Sequence, residues 1–244
     1  MLKFTRSTKL QKKNDMELIF ATNNSHKLFE VKEKLRLINS TIRVISLSEI
    51  GFLDEIPETG TTLQENALQK AQTVYDYVIC RGEARFDGVY PERSRGAQQP
   101  CHAHSQNPGP IPAIVADDSG LEIEALNGEP GVYSAHYAGE HRSFEDNINL
   151  VWSKMRGKVN RRACFKTVIA LILDGKTHYF EGRVDGEILF EKRGTEGFGY
   201  DPIFLPDGYR ETFAELALDV KNKISHRGRA VDELVRFLNG LHSA

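Results

Sequence analysis

Two strand-like segments on either side of an Asp-Gly pair constrain the fold of this chain more than any other feature. Arg162 to Leu173 and Lys176 to Arg183 are rich in the β-branched and aromatic residues that favour strands. Asp174-Gly175 lies between them and is a preferred sequence for a two-residue hairpin turn. We therefore expect an antiparallel hairpin here, and a C-terminal half that is rich in antiparallel sheet.

The N-terminal half has a different pattern, in which strands alternate with helices. The run from Glu17 to Ala21 predicts a strand, the polar residues Thr22 to Ser25 a turn, and the apolar spacing from Leu28 to Ile38 a helix. A second strand is expected over 41–47, and a second helix follows the capping-box pattern of Thr62 and Glu65. The two halves together indicate an α/β fold with a mixed sheet flanked by helices.

The remaining elements are weaker. Ala113 to Ala116 predicts a strand that reaches a polar turn at Asp117-Asp118-Ser119-Gly120, from which another strand leaves. The other predicted elements are a helix capped by Ser143, a glycine-rich turn over 194–199, a strand over 203–205 and a final helix from about Ser225.

Length and composition limit the classes of protein that the chain can belong to. At 244 residues with 40% hydrophobic residues it can form one well-packed domain, which we place at 16–244. The net charge of −2 lacks the basic excess of a nucleic-acid binder, and no apolar run approaches the length of a membrane span. Three cysteines without CxxC spacing suggest no disulfide framework and favour a reducing compartment, so a cytoplasmic protein is expected.

Two segments are predicted to lie outside the packed domain. Residues 1–15 carry five Lys or Arg against one Asp and lack the apolar stretch of a secretory signal, which indicates a disordered basic tail. Residues 81–111 are rich in proline and glycine and have no sustained apolar period, so we interpret them as a disordered surface insertion.

The first candidate for chemistry is the turn between the first strand and the first helix. It comprises Thr22, Asn23, Asn24, Ser25, His26 and Lys27. A helix N-terminus with unpaired N–H groups beside a lysine suits a phosphate. The segment has neither a Walker A nor a GxGxxG pattern, so the spacing alone favours the alternative, an ordinary capped helix.

The second candidate is a set of carboxylates. Asp117 and Asp118 are adjacent in a strand, so only one of them can easily face a given cleft while the other braces the structure. Together with Glu58 they offer the hard oxygen ligands that Mg²⁺ prefers. The alternative is a turn stabilised by local aspartate hydrogen bonds.

The third and fourth candidates lie near the C-terminus. In the segment Gly197 to Pro202, Phe198 and Tyr200 could stack on a base while Asp201 accepts a hydrogen bond from it; two core aromatics are the alternative. Lys221 and the sequence Ser225-His226-Arg227 at the start of the last helix could bind a phosphate or a carbonyl oxygen, or form a solvated basic helix start.

Taken in order, these segments resemble the inosine triphosphate pyrophosphatase family. The resemblance covers Met16 to about Ile79 and Pro112 to Gly240, and rests on the segments ATNNSHK, ETGTTLQENALQKA, ADDSGLEIEALNGEPGVYSAHYAG, GFGYDPIF and KNKISHRG. It implies an elongated two-lobed α/β structure with a long mixed sheet, an active-site cleft between the lobes, and a homodimer. Asn23 stands where the family often has glycine, which is a mild change because asparagine tolerates a left-handed backbone.

The resemblance also implies roles for individual residues. Thr22 to Lys27 would be the triphosphate loop, with Lys27 assisting catalysis, and Asp118 the catalytic acceptor and a Mg²⁺ ligand. Glu58 would be a second metal-site carboxylate supported by Asp117. The implied substrate contacts are Ser119, Phe198, Gly199, Tyr200, Asp201 and Lys221, with His226 and Arg227 as the pair that reads the base.

The activity implied by the resemblance is Mg²⁺-dependent hydrolysis of deaminated purine triphosphates (ITP, dITP, XTP) to the monophosphate and pyrophosphate. Two other functions are compatible with the residues. A regulatory module could bind the nucleotide without cutting it, although the three carboxylates favour an enzyme. A nucleic-acid binder could use the aromatics for stacking, but the net charge of −2 disfavours it.

Overall fold

The computed structural model describes residues 16–38, 41–81 and 112–241. The predicted tail over 1–15 lies outside these ranges, as does the predicted insertion apart from residue 81, which ends a helix. The fold below therefore refers to the three described ranges.

Seven strands and five α-helices are formed by the described residues. The strands are β1 Met16–Phe20, β2 Ile42–Ser46, β3 Ala113–Ile123, β4 Pro130–Gly131, β5 Arg162–Leu173, β6 Lys176–Ile188 and β7 Phe204–Pro206. The helices are α1 Ser25–Ile38, α2 Leu63–Arg81, α3 Phe144–Met155, α4 Leu218–Ile224 and α5 His226–Leu241. Short 3₁₀ turns lie at Glu124–Leu126, Ser134–His136 and Asp201–Ile203.

The strands form one mixed sheet in the order β2-β1-β3-β5-β6-β7, with β4 beside β3. β1 runs parallel to β2 and to β3, whereas β3, β5, β6 and β7 pair antiparallel in turn. Asp174 and Gly175 have φ angles of 50° and 72°, the left-handed geometry that a two-residue hairpin turn requires. The predicted hairpin and the mixed α/β fold class are therefore confirmed.

Side-chain alternation along the strands explains why helices cover both faces of the sheet. Leu18 and Phe20 of β1 pack with α1 and α5, whereas Ile19 and Ala21 pack with α2 on the opposite face. A third apolar cluster, built around Phe165, Phe204 and Phe213, packs against α3 in the C-terminal half. The buried alternation of β1 thus fixes which helices lie on which side of the sheet.

The predicted turn at 117–120 is wrong, because β3 continues through it. Asp117 and Asp118 pair with Ile169 and Val168 of β5 in an unbroken antiparallel ladder. Gly120 is needed for close packing, since a Cβ there would lie 2.4 Å from the carbonyl oxygen of Gly131. The strand tolerates its polar residues because their side chains find ionic partners across the fold, which local sequence does not reveal.

One further difference from the sequence predictions concerns the start of the last helix. Helix α4 was not predicted, and it ends directly before the predicted start of the last helix. None of the helices within the described ranges combines the length and apolar composition of a membrane span.

Candidate active site

A cavity of about 360 Å³ brings together most of the residues singled out in the sequence. The predicted residues that line it are Thr22, Asn23, Asn24, Lys27, Glu58, Asp118, Ser119, Phe198, Gly199, Tyr200, Asp201, Lys221, His226 and Arg227. Ser25, His26 and Asp117 do not line it. Residues from both the parallel and the antiparallel parts of the sheet thus meet at one site.

The turn before α1 is a capped helix N-terminus. The side chain of Asn24 accepts hydrogen bonds from the backbone N–H groups of His26 and Lys27, at 2.9 and 3.1 Å. Those two donors are therefore already used, as the capped-helix alternative predicted. The Lys27 side chain crosses to β3, where its ammonium lies 3.2 Å from Asp117 Oδ1.

Asp117 and Asp118 face opposite sides of β3, as strand geometry requires. The Asp117 side chain is fully buried and contacts Lys27 and Arg227, whose Nε donates to Oδ2 at 3.0 Å. Burial raises the pKa of Asp117, but the charges of Lys27 and Arg227 outweigh it and hold that pKa well below its usual value. Asp118 lines the cavity and Asp117 does not. One aspartate therefore faces the cleft and the other is held inside the structure, as we expected.

Lys70 connects the two carboxylates that face the cavity, and the sequence analysis missed it. Its ammonium lies 2.9 Å from both Glu58 Oε1 and Asp118 Oδ1. Burial lowers the pKa of Lys70, but Asp118 and Glu58 more than compensate and raise it. Asn66, one helical turn earlier, donates to Asp118 Oδ2 at 3.2 Å. Asn66 and Lys70 are polar residues spaced i, i+4 on an otherwise apolar face of α2, and this spacing was the sequence signal that could have identified them.

The three carboxylates predicted as a metal site do not form one cluster. No group of three or more His, Cys, Asp or Glu side chains within the described ranges is arranged to hold a metal ion. Glu58 and Asp118 lie on either side of Lys70, whereas Asp117 lies on the other face of β3. Two of the predicted ligands therefore share the cavity and the third does not.

Aromatic rings and a buried ionic network form the other end of the cavity. The ring of Phe198 stacks on His26 at 5.2 Å, and the cations of Lys221 and Arg227 lie 5.3 and 5.5 Å from its centroid. Asp201 accepts hydrogen bonds from Lys221 Nζ at 2.7 Å and from the Phe198 N–H at 2.8 Å. Burial raises the pKa of Asp201, although Lys221 opposes that shift.

Tyr200 is part of this end but is anchored in the core. It is buried and donates its hydroxyl hydrogen to the carbonyl oxygen of Ser134 at 2.9 Å. Burial raises the pKa of the phenol. The core-aromatic alternative therefore describes Tyr200, whereas Phe198 is only partly buried and borders the cavity.

Glu30 of α1 organises the cations at this end and was also missed. Its two carboxylate oxygens pair with Lys221, at 2.7 Å, and with Arg227. Arg227 additionally donates to Ser119 Oγ at 3.1 Å, so its guanidinium is held on three sides. Burial raises the pKa of Glu30, but Arg227 and Lys221 reverse the shift and lower it. In the sequence, Glu30 is a glutamate within the apolar spacing of α1, and that was the signal that could have identified it.

His226 is buried beside these cations and remains neutral. Burial and the charge of Arg227 lower its pKa well below the ordinary value. Its ring stacks on Phe165 at 4.6 Å, and Nδ1 is buried without a hydrogen-bond partner among the described residues. A neutral imidazole that lines a cavity with an unused polar atom is suited to hydrogen bonding with a ligand.

Fold and site together define a class of protein. It is an α/β protein whose mixed sheet carries a cavity with lysines and carboxylates at one end and an aromatic ring, a neutral histidine and buried cations at the other. The chain belongs to the Ham1 family, whose model matches residues 18–237.

Related sequences and structures agree with this assignment. A dITP/XTP pyrophosphatase of Flavobacterium johnsoniae is 42% identical over 91% of this chain and 98% of its own length. One from Christiangramia forsetii is 43% identical over 92% of this chain and its full length. The Staphylococcus aureus Ham1 protein superposes with a TM-score of 0.71 at 36% identity, covering 92% of this chain and 98% of its own.

Proposed function

We propose that this protein is a nucleoside triphosphate pyrophosphatase, which hydrolyses deaminated purine triphosphates such as ITP, dITP and XTP to the monophosphate and pyrophosphate. One observation carries the proposal: a single cavity combines a lysine and carboxylate end with an aromatic and hydrogen-bonding end. The related proteins named dITP/XTP pyrophosphatase support it. The biological role is removal of these nucleotides from the cytoplasmic pool.

The residues present fit a magnesium ion at the carboxylate end. Glu58 and Asp118 both face the cavity, and their oxygens already share a cation, the ammonium of Lys70. Mg²⁺ is usually bound by one or two carboxylates together with substrate phosphates and water, so these two side chains would hold it. When bound, Mg²⁺ supplies Lewis-acid stabilisation of the charge that develops on the phosphates.

The chain's own groups then perform hydrolysis at the α-phosphorus. Asp118 orients the attacking water and accepts its proton, while Lys70 and Asn66 fix the carboxylate in place. Lys27, whose side chain is 13% exposed, neutralises charge on the phosphates. Because burial lowers the pKa of Lys27, Asp117 is needed beside it to favour the charged form.

Selection of the base depends on hydrogen-bond donors at the aromatic end. Hypoxanthine and xanthine carry a carbonyl oxygen at C6, where adenine carries an amino group. Neutral His226 carries one ring N–H donor, and the guanidinium of Arg227 has two N–H groups beyond the three that bond Asp117, Glu30 and Ser119. Adenine would leave these donors unpaired, and buried unpaired donors are costly. Phe198 provides the ring face for stacking. ATP should therefore be a poor substrate.

The test is release of pyrophosphate and of phosphate from ITP, XTP, dITP, GTP and ATP, with Mg²⁺ and with a chelator. We expect Mg²⁺-dependent pyrophosphate release that is confined to the deaminated purines. Comparable rates on ATP and ITP would contradict base selection by these donors. Binding of ITP without any release would instead favour the regulatory-module alternative.

We also propose that the protein is a homodimer, as the family resemblance implies. Light scattering coupled to size exclusion would then report about twice the chain mass of 27.5 kDa. A mass equal to one chain at micromolar concentration would contradict this.

A further inference from the structure

Arg142 lies at the same cavity but was not part of the predicted site. It precedes α3, and its side chain is 58% exposed. Its Nη2 donates to Glu58 Oε2 at 3.2 Å, across 84 residues of sequence. Since Glu58 Oε1 pairs with Lys70, a row of alternating charges runs from Asp118 through Lys70 and Glu58 to Arg142. Arg142 is the most exposed of these side chains.

The backbone fixes the position of Arg142. Its φ angle is 49°, in the left-handed region, and its N–H donates to the carbonyl oxygen of Gly139 at 3.2 Å. Asn147 of α3 holds the preceding turn by accepting from the Ala138 N–H at 2.7 Å. Ser143 caps α3 through the N–H of Asp146. The side chain therefore starts from a defined point at the cavity.

The cations at this end differ in how firmly they are paired. Lys70 is 6% exposed and lies between two carboxylates, and Lys27 is 13% exposed beside buried Asp117. The ion pair of Arg142 with Glu58 is open to solvent on the Arg142 side, and ion pairs at the surface add little to stability, so Arg142 can change partner at low cost. A guanidinium also forms paired hydrogen bonds with phosphate oxygens that are stronger than such a surface contact.

We propose that Arg142 binds the outer phosphates of the substrate, which leave as pyrophosphate, by exchanging Glu58 for phosphate oxygens. The inference rests on the proposed function, because it assigns the carboxylate and lysine end of the cavity to the triphosphate. Arg142 thereby adds affinity for the pyrophosphate portion and none for the nucleoside portion at the other end.

The experiment compares Arg142→Ala and Arg142→Lys with His141→Ala, an exposed neighbour in the same turn that does not line the cavity. Calorimetry measures the binding of inorganic pyrophosphate and of IMP in magnesium buffer, and thermal unfolding checks the fold. We expect Arg142→Ala to weaken pyrophosphate binding roughly tenfold and to leave IMP binding within about twofold. Arg142→Lys should recover part of the loss, and His141→Ala should match the unmodified protein.

Two results would overturn the inference while the proposed function stands. In the first, the unmodified protein cleaves ITP but Arg142→Ala binds pyrophosphate normally. In the second, Arg142→Ala weakens pyrophosphate and IMP equally and lowers the unfolding temperature, which would mean that Arg142 only supports the turn. An unmodified protein that neither cleaves ITP nor binds pyrophosphate would overturn both.

Discussion

Asp117 and Asp118 are neighbours with the same side chain, yet they face different surroundings. Asp117 is enclosed by two cations on one side of β3, and Asp118 reaches the cavity on the other side. The difference follows from strand alternation, which places successive side chains on opposite faces. Substitution of each aspartate should therefore have a separate signature.

Asp118→Asn should lower kcat for ITP at least about 100-fold, because the amide cannot accept the proton of the attacking water. Binding of IMP should change little, since we propose that the base and ribose bind at the other end of the cavity. Steady-state kinetics and calorimetry measure the two quantities. Asp174→Asn is the matched control, because Asp174 is exposed in the hairpin turn and asparagine tolerates its φ of 50°. Near-normal turnover by Asp118→Asn would refute the assignment.

Asp117→Asn should mainly affect stability, because it leaves Lys27 and Arg227 without their buried counter-charge. We expect a loss of about 3–5 kcal/mol in the free energy of unfolding at pH 7. The folded-state pKa of Asp117 lies below the ordinary 3.8, so its contribution is complete above about pH 4 and disappears as pH falls through the lowered pKa. The difference in free energy of unfolding between Asp117→Asn and the unmodified protein should therefore become smaller at low pH.

Urea unfolding at pH 7 and near pH 3 measures this change. The control is Asp185→Asn, which removes a carboxylate that is 43% exposed and paired with Arg183, and should cost less than about 1 kcal/mol. A deficit of Asp117→Asn that is equal at both pH values would show that charge is not its cause.

Glu30 contacts Lys221 and Arg227 at the aromatic end of the cavity, where we propose that the base binds, so we expect it to be a positioning residue. Glu30→Gln should raise KM for ITP and reduce the ratio of kcat/KM between ITP and ATP, because the two cations lose their shared counter-charge. Kinetics with both nucleotides measure the ratio. Glu33→Gln, on the same helix and paired with Arg36, is the control. An unchanged ratio would show that Glu30 serves stability alone.

At the scale of elements, the positions of the side chains at the aromatic end of the cavity depend on how closely α5 packs on β6. A Cβ added at Gly182 of β6 would lie 1.9 Å from the carbonyl oxygen of His226 and 2.7 Å from the nitrogen of Ala230. Both atoms belong to the helix backbone, which cannot move aside locally. The missing side chain at Gly182 thus sets the position of His226 and Arg227.

Gly182→Ala should displace the start of α5, lower stability by about 1–3 kcal/mol and reduce kcat/KM for ITP by more than the stability loss explains. Thermal unfolding and kinetics below the transition measure the two effects. Gly240→Ala lies on α5, where an added Cβ meets no atom of the described residues within 4 Å, and should be neutral or slightly stabilising. Equal behaviour of the two variants would contradict this role for Gly182.

At the scale of the whole molecule, the cavity joins the two parts of the sheet. Its carboxylate end is built from the segment before α2 and from β3, and its aromatic end from residues that follow β6. A ligand that contacts both ends would therefore stabilise most of the fold. A ligand that binds the folded state and not the unfolded state raises the free energy of unfolding.

IMP with magnesium pyrophosphate should raise the midpoint of thermal unfolding. At ligand concentrations of about 100 Kd the gain is about 2.7 kcal/mol for one ligand, which corresponds to roughly 5–10 °C for a chain of this size. AMP in place of IMP should give a smaller shift. A midpoint that none of these ligands moves would contradict the assignment of the cavity.

The sequence by itself determined most of the elements and their type, because those depend on local periodicity and capping. The Asp174-Gly175 hairpin, the capping box of Thr62 with Glu65 and the Ser143 cap of α3 all form as predicted. The family resemblance also located most residues that line the cavity. Each of these signals lies within a short stretch of chain.

Only the tertiary structure decided how those residues work together. β3 runs straight through Asp117 and Asp118 because pairing with β5 outweighs the local turn signal. The Lys70 bridge to Asp118 spans 48 residues and the Lys221 bridge to Glu30 spans 191. The packing of the sheet against its helices decides which charged side chains meet and how strongly burial shifts their pKa values. No local sequence pattern encodes contacts between residues so far apart in the chain.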